Sequence, residues 1–234
     1  MVDFRETRSS VARWKEVLVP VYKELTNLGA GDVWVYGSQA MSLYMKRPLT
    51  SKDLDLLATG MTIDIAKELC KRLAPLSDLK NPYFTFQNLE RENKPNPVFS
   101  IYLSSRNERP FAVELFQTYN GHDLRELTPY VNYLERWKNE FQTLTVEGII
   151  GTRLAFRPPD RISPFNAERL NRFIETVRDK IDWSKVEEFS RNFELQGKIS
   201  ENLKVLSGHG IRIIDSNKLS FLSREPPSGN ADRK

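Results

Sequence analysis

Between Ser9 and Leu28 the apolar residues Val11, Trp14, Val17, Leu18, Val21, Tyr22, Leu25 and Leu28 recur every three or four positions. That spacing predicts an amphipathic helix, which Gly29 and Gly31 stop. Val33 to Tyr36 is β-branched and aromatic, a short strand, and a helix over Ser38 to Tyr44 begins at once. Leu54 to Ala58 is the next strand and Thr62 to Leu73 the next helix, closed by Pro75. Three strand-like runs follow, Tyr83 to Gln87, Val98 to Leu103 and Phe111 to Phe116, with turns expected at Glu90 to Pro97 and at Arg106 to Arg109. Strands in series predict an antiparallel portion of sheet, and Thr128 to Leu134 is a further strand candidate.

Beyond that point the period is helical. Val146 to Phe156 has helical spacing, Pro158 and Pro159 break it, and Ser163 followed by Pro164 opens a helix that runs to about Ile181. Asp182 to Leu206 holds one or two more helices, Ile211 to Ile214 reads as a small strand, and the tail after Arg224 reads as disordered. The expected fold is therefore α/β (α+β). A domain with a mixed sheet flanked by helices spans residues 1–143, a helical C-terminal domain spans 144–223, and a tail occupies 224–234.

Composition narrows the setting. A chain of 234 residues buries a proper core without disulfide staples. Its single cysteine, Cys70, falls among Ile63, Ala66, Leu69 and Leu73 at helical spacing, as a core thiol rather than a nucleophile. A reducing, cytoplasmic setting is expected. No apolar run approaches the roughly 20 residues that span a bilayer, and the charged start of the chain precedes no hydrophobic segment, so a soluble, unprocessed protein without a membrane partner is expected. The formal charge of +4 suits a polyanionic partner without demanding one. His122 and His209 have no zinc-binding spacing and read as surface or loop residues. Tyr130, Tyr133 and Trp137 read as packing at the domain junction before they read as a base-stacking platform.

Candidate chemistry concentrates between Val35 and Leu57. Gly37 and Ser38 lie where a strand hands over to a helix, and glycine there lets a phosphate approach the free N–H groups of the helix start. Asp53 and Asp55 are two apart on a strand, so their carboxylates share one face while Leu54 and Leu56 enter the core on the other. Carboxylates that close repel unless a cation lies between them, and hard oxygen ligands suit Mg²⁺. Alone, the pair reads more readily as a turn cap and a solvated strand residue. Glu114, on the opposite face of its strand from Phe111, Val113 and Leu115, adds a third acid among apolar neighbours. With Gly37 and Ser38 it turns the balance towards a metal site.

A hydrophobic strand, Gly-Ser, a short helix, Asp-Leu-Asp and a later acid on a strand together resemble the nucleotidyltransferase superfamily of DNA polymerase beta. With Arg47 and Thr50 ahead of Asp53, the segment looks most like the bacterial and archaeal abortive-infection, toxin-type family. The resemblance covers residues 33 to 57 and reaches Glu114 by position. It implies a polymerase beta-like catalytic domain in which Gly37 and Ser38 hold the β and γ phosphates of a nucleoside triphosphate, with Arg47 and Thr50 beside them. Asp53, Asp55 and Glu114 would bind two Mg²⁺ ions, or Mn²⁺, and Glu114 would help deprotonate an attacking hydroxyl.

The implied reaction is transfer of a nucleotide to an acceptor hydroxyl with release of pyrophosphate. RNA or tRNA is the implied acceptor, and an antitoxin protein the implied partner. Two departures stand out. Fourteen residues separate Ser38 from Asp53, at the long end of the usual spacing, and Arg153 occupies the place of a family lysine with no Asp pair after it. Arg153 still suits a triphosphate, because a guanidinium pairs well with phosphate oxygens. Arg157, Arg161, Arg169, Arg172 and Arg178 extend this basic set, either along an RNA groove or as solvated helix faces among Glu168, Glu175 and Asp179. Two other functions share these motifs: a catalytically silent nucleotide- or partner-binding protein, and an antibiotic-modifying adenylyltransferase.

Overall fold

The computed structural model describes residues 8–91, 94–104, 111–155 and 163–222. The chain forms two compact units, Met1–Thr145 and Val146–Lys234.

In the first unit the apolar stripe of α1 (Arg8–Asn27) is buried through Trp14, Val17, Leu18, Val21 and Leu25. It packs with α3 (Ile63–Leu73) on one face of a sheet, around Leu54, Leu56, Phe99, Ile101, Val113 and Leu115. Seven strands among the described residues form that mixed sheet. They are β1 (Val33–Val35), β2 (Asp53–Ala58), β3 (Tyr83–Arg91), β4 (Lys94–Tyr102), β5 (Ala112–Phe116), β8 (Val131–Arg136) and β9 (Asn139–Leu144), in the order β3-β4-β5-β2-β1-β9-β8. The short strands β6 (Thr118–Tyr119) and β7 (His122–Asp123) pair separately. Helix α2 (Gly37–Tyr44) follows β1 directly, and β2 returns antiparallel to β1. As the sequence predicts, β3, β4 and β5 are antiparallel neighbours. Pairing of β2 with β5 is parallel, which makes the sheet mixed.

Three expectations need correction. Glu90 to Pro97 is expected as a turn, yet β3 continues to Arg91 and β4 begins at Lys94. Both prolines fit because β5 ends at Phe116, opposite Val98. In an antiparallel strand a residue's N and C=O point the same way, and the carbonyl of Pro97 accepts from Gln117 N beyond that end, so no ladder bond is lost to either proline. The strand expected over Thr128 to Leu134 starts only at Val131, after a 3₁₀ segment from Leu124 to Tyr130. Asp123 caps that segment and exchanges hydrogen bonds with Glu126. The 211–214 stretch is not a strand; Ile213 is buried in the helical unit, and no strand lies beside it among the described residues.

The second unit is helical: α4 (Val146–Leu154), α5 (Pro164–Val177), α6 (Trp183–Asn192) and α7 (Gln196–Gly208). Ser163 caps α5 by accepting from Asn166 N at 3.2 Å, and Asp182 caps α6 by accepting from Ser184 N at 3.0 Å. Gly151 on α4 lets the ring of Phe189 on α6 lie against its α-carbon, where a β-carbon would come within 2.5 Å of Cδ1. The expected helix break at Pro158 and Pro159, the turn at Arg106 to Arg109 and the tail after Arg224 lie outside the described residues, as do Arg157 and Arg161. No described helix is long and apolar enough to cross a membrane.

Candidate functional site

Alternation along β2 sends Leu54 and Leu56 into the core and leaves Asp53 and Asp55 on the opposite face. Parallel pairing with β5 sets Asp53 beside Ala112 and Asp55 beside Glu114. The three carboxylates therefore meet in the middle of a sheet, half-buried, and each offers an oxygen within 4.8 Å of the others. Magnesium holds its ligands at about 2.0–2.1 Å, so opposite corners of one octahedron are roughly 4 Å apart. Oxygens within 4.8 Å of one another are close enough to be shared by one such ion. The donors are all hard oxygens, so Mg²⁺ or Mn²⁺ fits the set better than a softer ion.

Gly37 borders these acids and cannot be replaced without cost. Its φ is +62°, and a β-carbon there would stand 2.0 Å from Asp55 Oδ2. The turn brings the start of α2 against the acid cluster. Tyr36, the N-cap, gives the first turn of the helix no side-chain capping bond.

Ser38 is buried and donates to Ser51 Oγ at 3.1 Å, and Ser51 in turn donates to Asp53 Oδ1 at 2.9 Å. The backbone carbonyl of Asp53 accepts from Gln39 Nε2 at 2.5 Å, and Gln39 is wholly buried. Arg47 and Thr50 lie on the connection between α2 and β2, Arg47 exposed and Thr50 half-buried. Between them Leu49 is pinned twice: its N–H donates to Ser42 Oγ at 3.0 Å, and its carbonyl accepts from the Trp14 indole at 3.0 Å. Arg153 belongs to the second unit, on α4, where it is buried.

Sequence reasoning passed over three residues of this neighbourhood, Ser51, Gln39 and Ser100, and placed a fourth, Phe116, on the Glu114 face. Ser51 and Gln39 brace Asp53, and Ser100 on β4 is buried directly across from Glu114. Phe116 lies two residues beyond Glu114 on the same face, and its ring meets that of Tyr36 edge-on at 6.1 Å. The alternation that finds Glu114 also places Phe116 and Ser100 on this face once the strands are paired.

The remaining reactive candidates are structural. Burial pushes the Cys70 thiol up to about 11. His122 pairs with Glu126 at 3.2 Å, and His209 ends α7. Trp137 packs on Trp14 and Phe141 within the first unit, whereas Tyr133 is exposed.

No protein-family model and no curated protein matches the chain. Solved structures similar to it include an antigenic nucleotidyltransferase-like protein from Paracoccidioides brasiliensis, with 15% identity and a TM-score of 0.48, covering 90% of this chain and 98% of that one. JHP933 from Helicobacter pylori shares 14% identity at a TM-score of 0.47, over 92% of this chain and 89% of that one. The antibiotic-resistance factor ANT(2'')-Ia shares 13% at 0.45, over 83% and 97%. Likeness at this level shows neither a family nor a reaction, so the chemistry of the site rests on its own residues.

Proposed function

We propose that the chain is a metal-dependent nucleotidyltransferase that joins a nucleoside monophosphate, taken from a triphosphate, to an acceptor hydroxyl. One observation carries this: Asp53, Asp55 and Glu114 converge beside the start of α2, with Gly37 holding the two features in contact. Acids alone would attract a cation, and a helix start alone would attract an anion. Side by side they suit a metal-bound polyphosphate.

In the proposed step the acceptor oxygen bonds to the α-phosphorus, the bond from that phosphorus to the bridging α–β oxygen breaks, and pyrophosphate leaves. Divalent ions, when bound, lower the pKa of the acceptor hydroxyl and neutralise charge on the leaving group. The chain's own residues do the positioning. Asp53 and Asp55 would hold the cations, while N–H groups at the start of α2 would receive phosphate oxygens. Glu114 would complete the acid set and take the hydroxyl proton. The acceptor is a hydroxyl of RNA or of a small molecule, the first being what the sequence resemblance suggests.

The test is incubation of purified protein with each α-labelled nucleoside triphosphate, Mg²⁺, and either total RNA or a small-molecule extract. Label is expected in one acceptor pool and lost with EDTA, Asp53→Ala or Asp55→Ala, each variant remaining folded by circular dichroism. Equal labelling by wild type and variants sinks the proposal. Metal and nucleotide binding without any labelled product would instead make the chain a binding protein.

A further inference from the structure

The hydroxyl relay beneath the acid cluster points inwards, and we infer that Ser51, anchored by Ser38, is a positioning residue for Asp53 rather than part of a phosphate seat. This rests on the proposed metal site and concerns how that site is held. A serine hydroxyl has one hydrogen to give. That of Ser38 goes to Ser51 at 3.1 Å, and that of Ser51 goes to Asp53 Oδ1 at 2.9 Å. Both serines are 5% exposed, so neither donor faces solvent.

The direction of the chain has a chemical consequence. Each donor polarises the next, and the last bond ends on a carboxylate, where a hydroxyl donor binds most strongly. Torsion about the final bond of an aspartate side chain is otherwise broad, so one fixed oxygen sets the plane of the whole carboxylate. The second oxygen is then presented to a cation without further ordering. Gln39 fixes the backbone of the same residue through its 2.5 Å bond to the Asp53 carbonyl. The anchor is itself held, because Ser42 Oγ donates to the Ser38 carbonyl at 2.9 Å and accepts from Leu49 N at 3.0 Å. Side chain, main chain and preceding loop thus fix Asp53 from α2. Phosphate oxygens would then meet the backbone N–H groups of the helix start and not the Ser38 hydroxyl.

The experiment measures Mn²⁺ binding to the full chain by electron paramagnetic resonance, without nucleotide, so that activity is not the readout. Ser51→Ala is expected to weaken Mn²⁺ binding about 10–100-fold, the usual effect of losing a residue that orients a metal ligand. Ser51→Thr keeps the hydroxyl and is expected to bind within a few-fold of wild type. Ser38→Ala weakens binding in wild type and has no further effect in the Ser51→Ala background, because the two hydroxyls act in series. Should Ser51→Ala lose its fold in EDTA, Ser51→Cys keeps the volume with a weak donor and is expected to lose affinity in the same direction. Unchanged Mn²⁺ affinity in Ser51→Ala or Ser51→Cys, with binding lost in Asp53→Ala, overturns the relay and leaves the metal site standing. Equal binding by Asp53→Ala and wild type overturns the metal site and the relay with it. If Ser38→Ala leaves Mn²⁺ affinity untouched and raises only the KM for nucleoside triphosphate, Ser38 contacts phosphate and the inward reading fails.

Discussion

Gly37→Ala is the substitution whose cost is clearest from the structure. A β-carbon at residue 37 would lie 2.0 Å from Asp55 Oδ2, 2.9 Å from its Cγ and 3.0 Å from its Cβ. Because Cβ and Cγ are crowded as well as the terminal oxygen, rotation of the carboxylate alone does not relieve the contact. Asp55 cannot retreat cheaply, since its carbonyl accepts from Tyr36 N at 3.0 Å and its strand lies inside the sheet. The φ of +62° adds a second penalty, about 1–2 kcal/mol for an L residue in the left-handed region. Overpacking of this kind adds about 1–3 kcal/mol. Together they come to roughly 2–5 kcal/mol, or a fall in melting temperature of about 5–15 °C for a chain of this size.

Thermal unfolding in EDTA, followed by far-ultraviolet circular dichroism, measures the loss, and Mn²⁺ titration shows whether Asp55 has left the site. Asp55→Ala supplies the control. It removes Oδ2 and Cγ, leaves Cβ, and should therefore restore part of the lost stability in the Gly37→Ala background. A coupling of about 1–3 kcal/mol between the two substitutions is expected. A Gly37→Ala protein that melts and binds Mn²⁺ like wild type would refute the contact, and strict additivity of the two changes would refute its assignment to Asp55.

Two further outcomes follow from individual side chains. With its pKa at about 11, Cys70 carries roughly two orders of magnitude less thiolate at pH 8 than a free cysteine; iodoacetamide should label it at least about 100-fold more slowly in the native protein than in denaturant, and equal rates would contradict its burial. The Arg125 guanidinium and backbone N–H hold the exposed Asp123 carboxyl down to about 2, below its ordinary value of 3.8. Its contribution to stability is therefore complete above about pH 4 and is lost as the pH falls towards 2. Asp123→Asn should destabilise the chain at pH 7 and converge with wild type in acid; a difference that grows as the pH falls would show the sign to be wrong.

What was legible in the sequence is whatever depends on period alone. The stripe from Trp14 to Leu25, the abrupt change from β1 to α2, and the shared face of Asp53 and Asp55 all follow from periods of 3.6 and 2. The β8–β9 hairpin is legible only in part because its turn lacks the usual signal. Trp137 and Lys138 both adopt positive φ, 50° and 62°, where Asn-Gly or another glycine pair would have announced a two-residue turn. Packing supplies what local preference does not: Trp137 lies against Trp14 and Phe141, and Lys15 Nζ lies 4.9 Å from the centre of its indole ring.

The site shows the same division on a smaller scale. Glu114 is legible because alternation fixes its face, and pairing with Asp55 then requires only that β2 and β5 be neighbours. Ser51 carries a weaker signal, since two residues before Asp53 is the position that extended backbone turns to the same side. What alternation cannot supply is the hydroxyl on the other side of that bond. Ser38 reaches Ser51 only because the connection from α2 to β2 folds back, and it folds back because Trp14 on α1 and Ser42 on α2 both hold Leu49. The long spacing between Ser38 and Asp53 is thus not slack in the site: the loop it provides contributes the serine that donates to the Asp53 carboxylate.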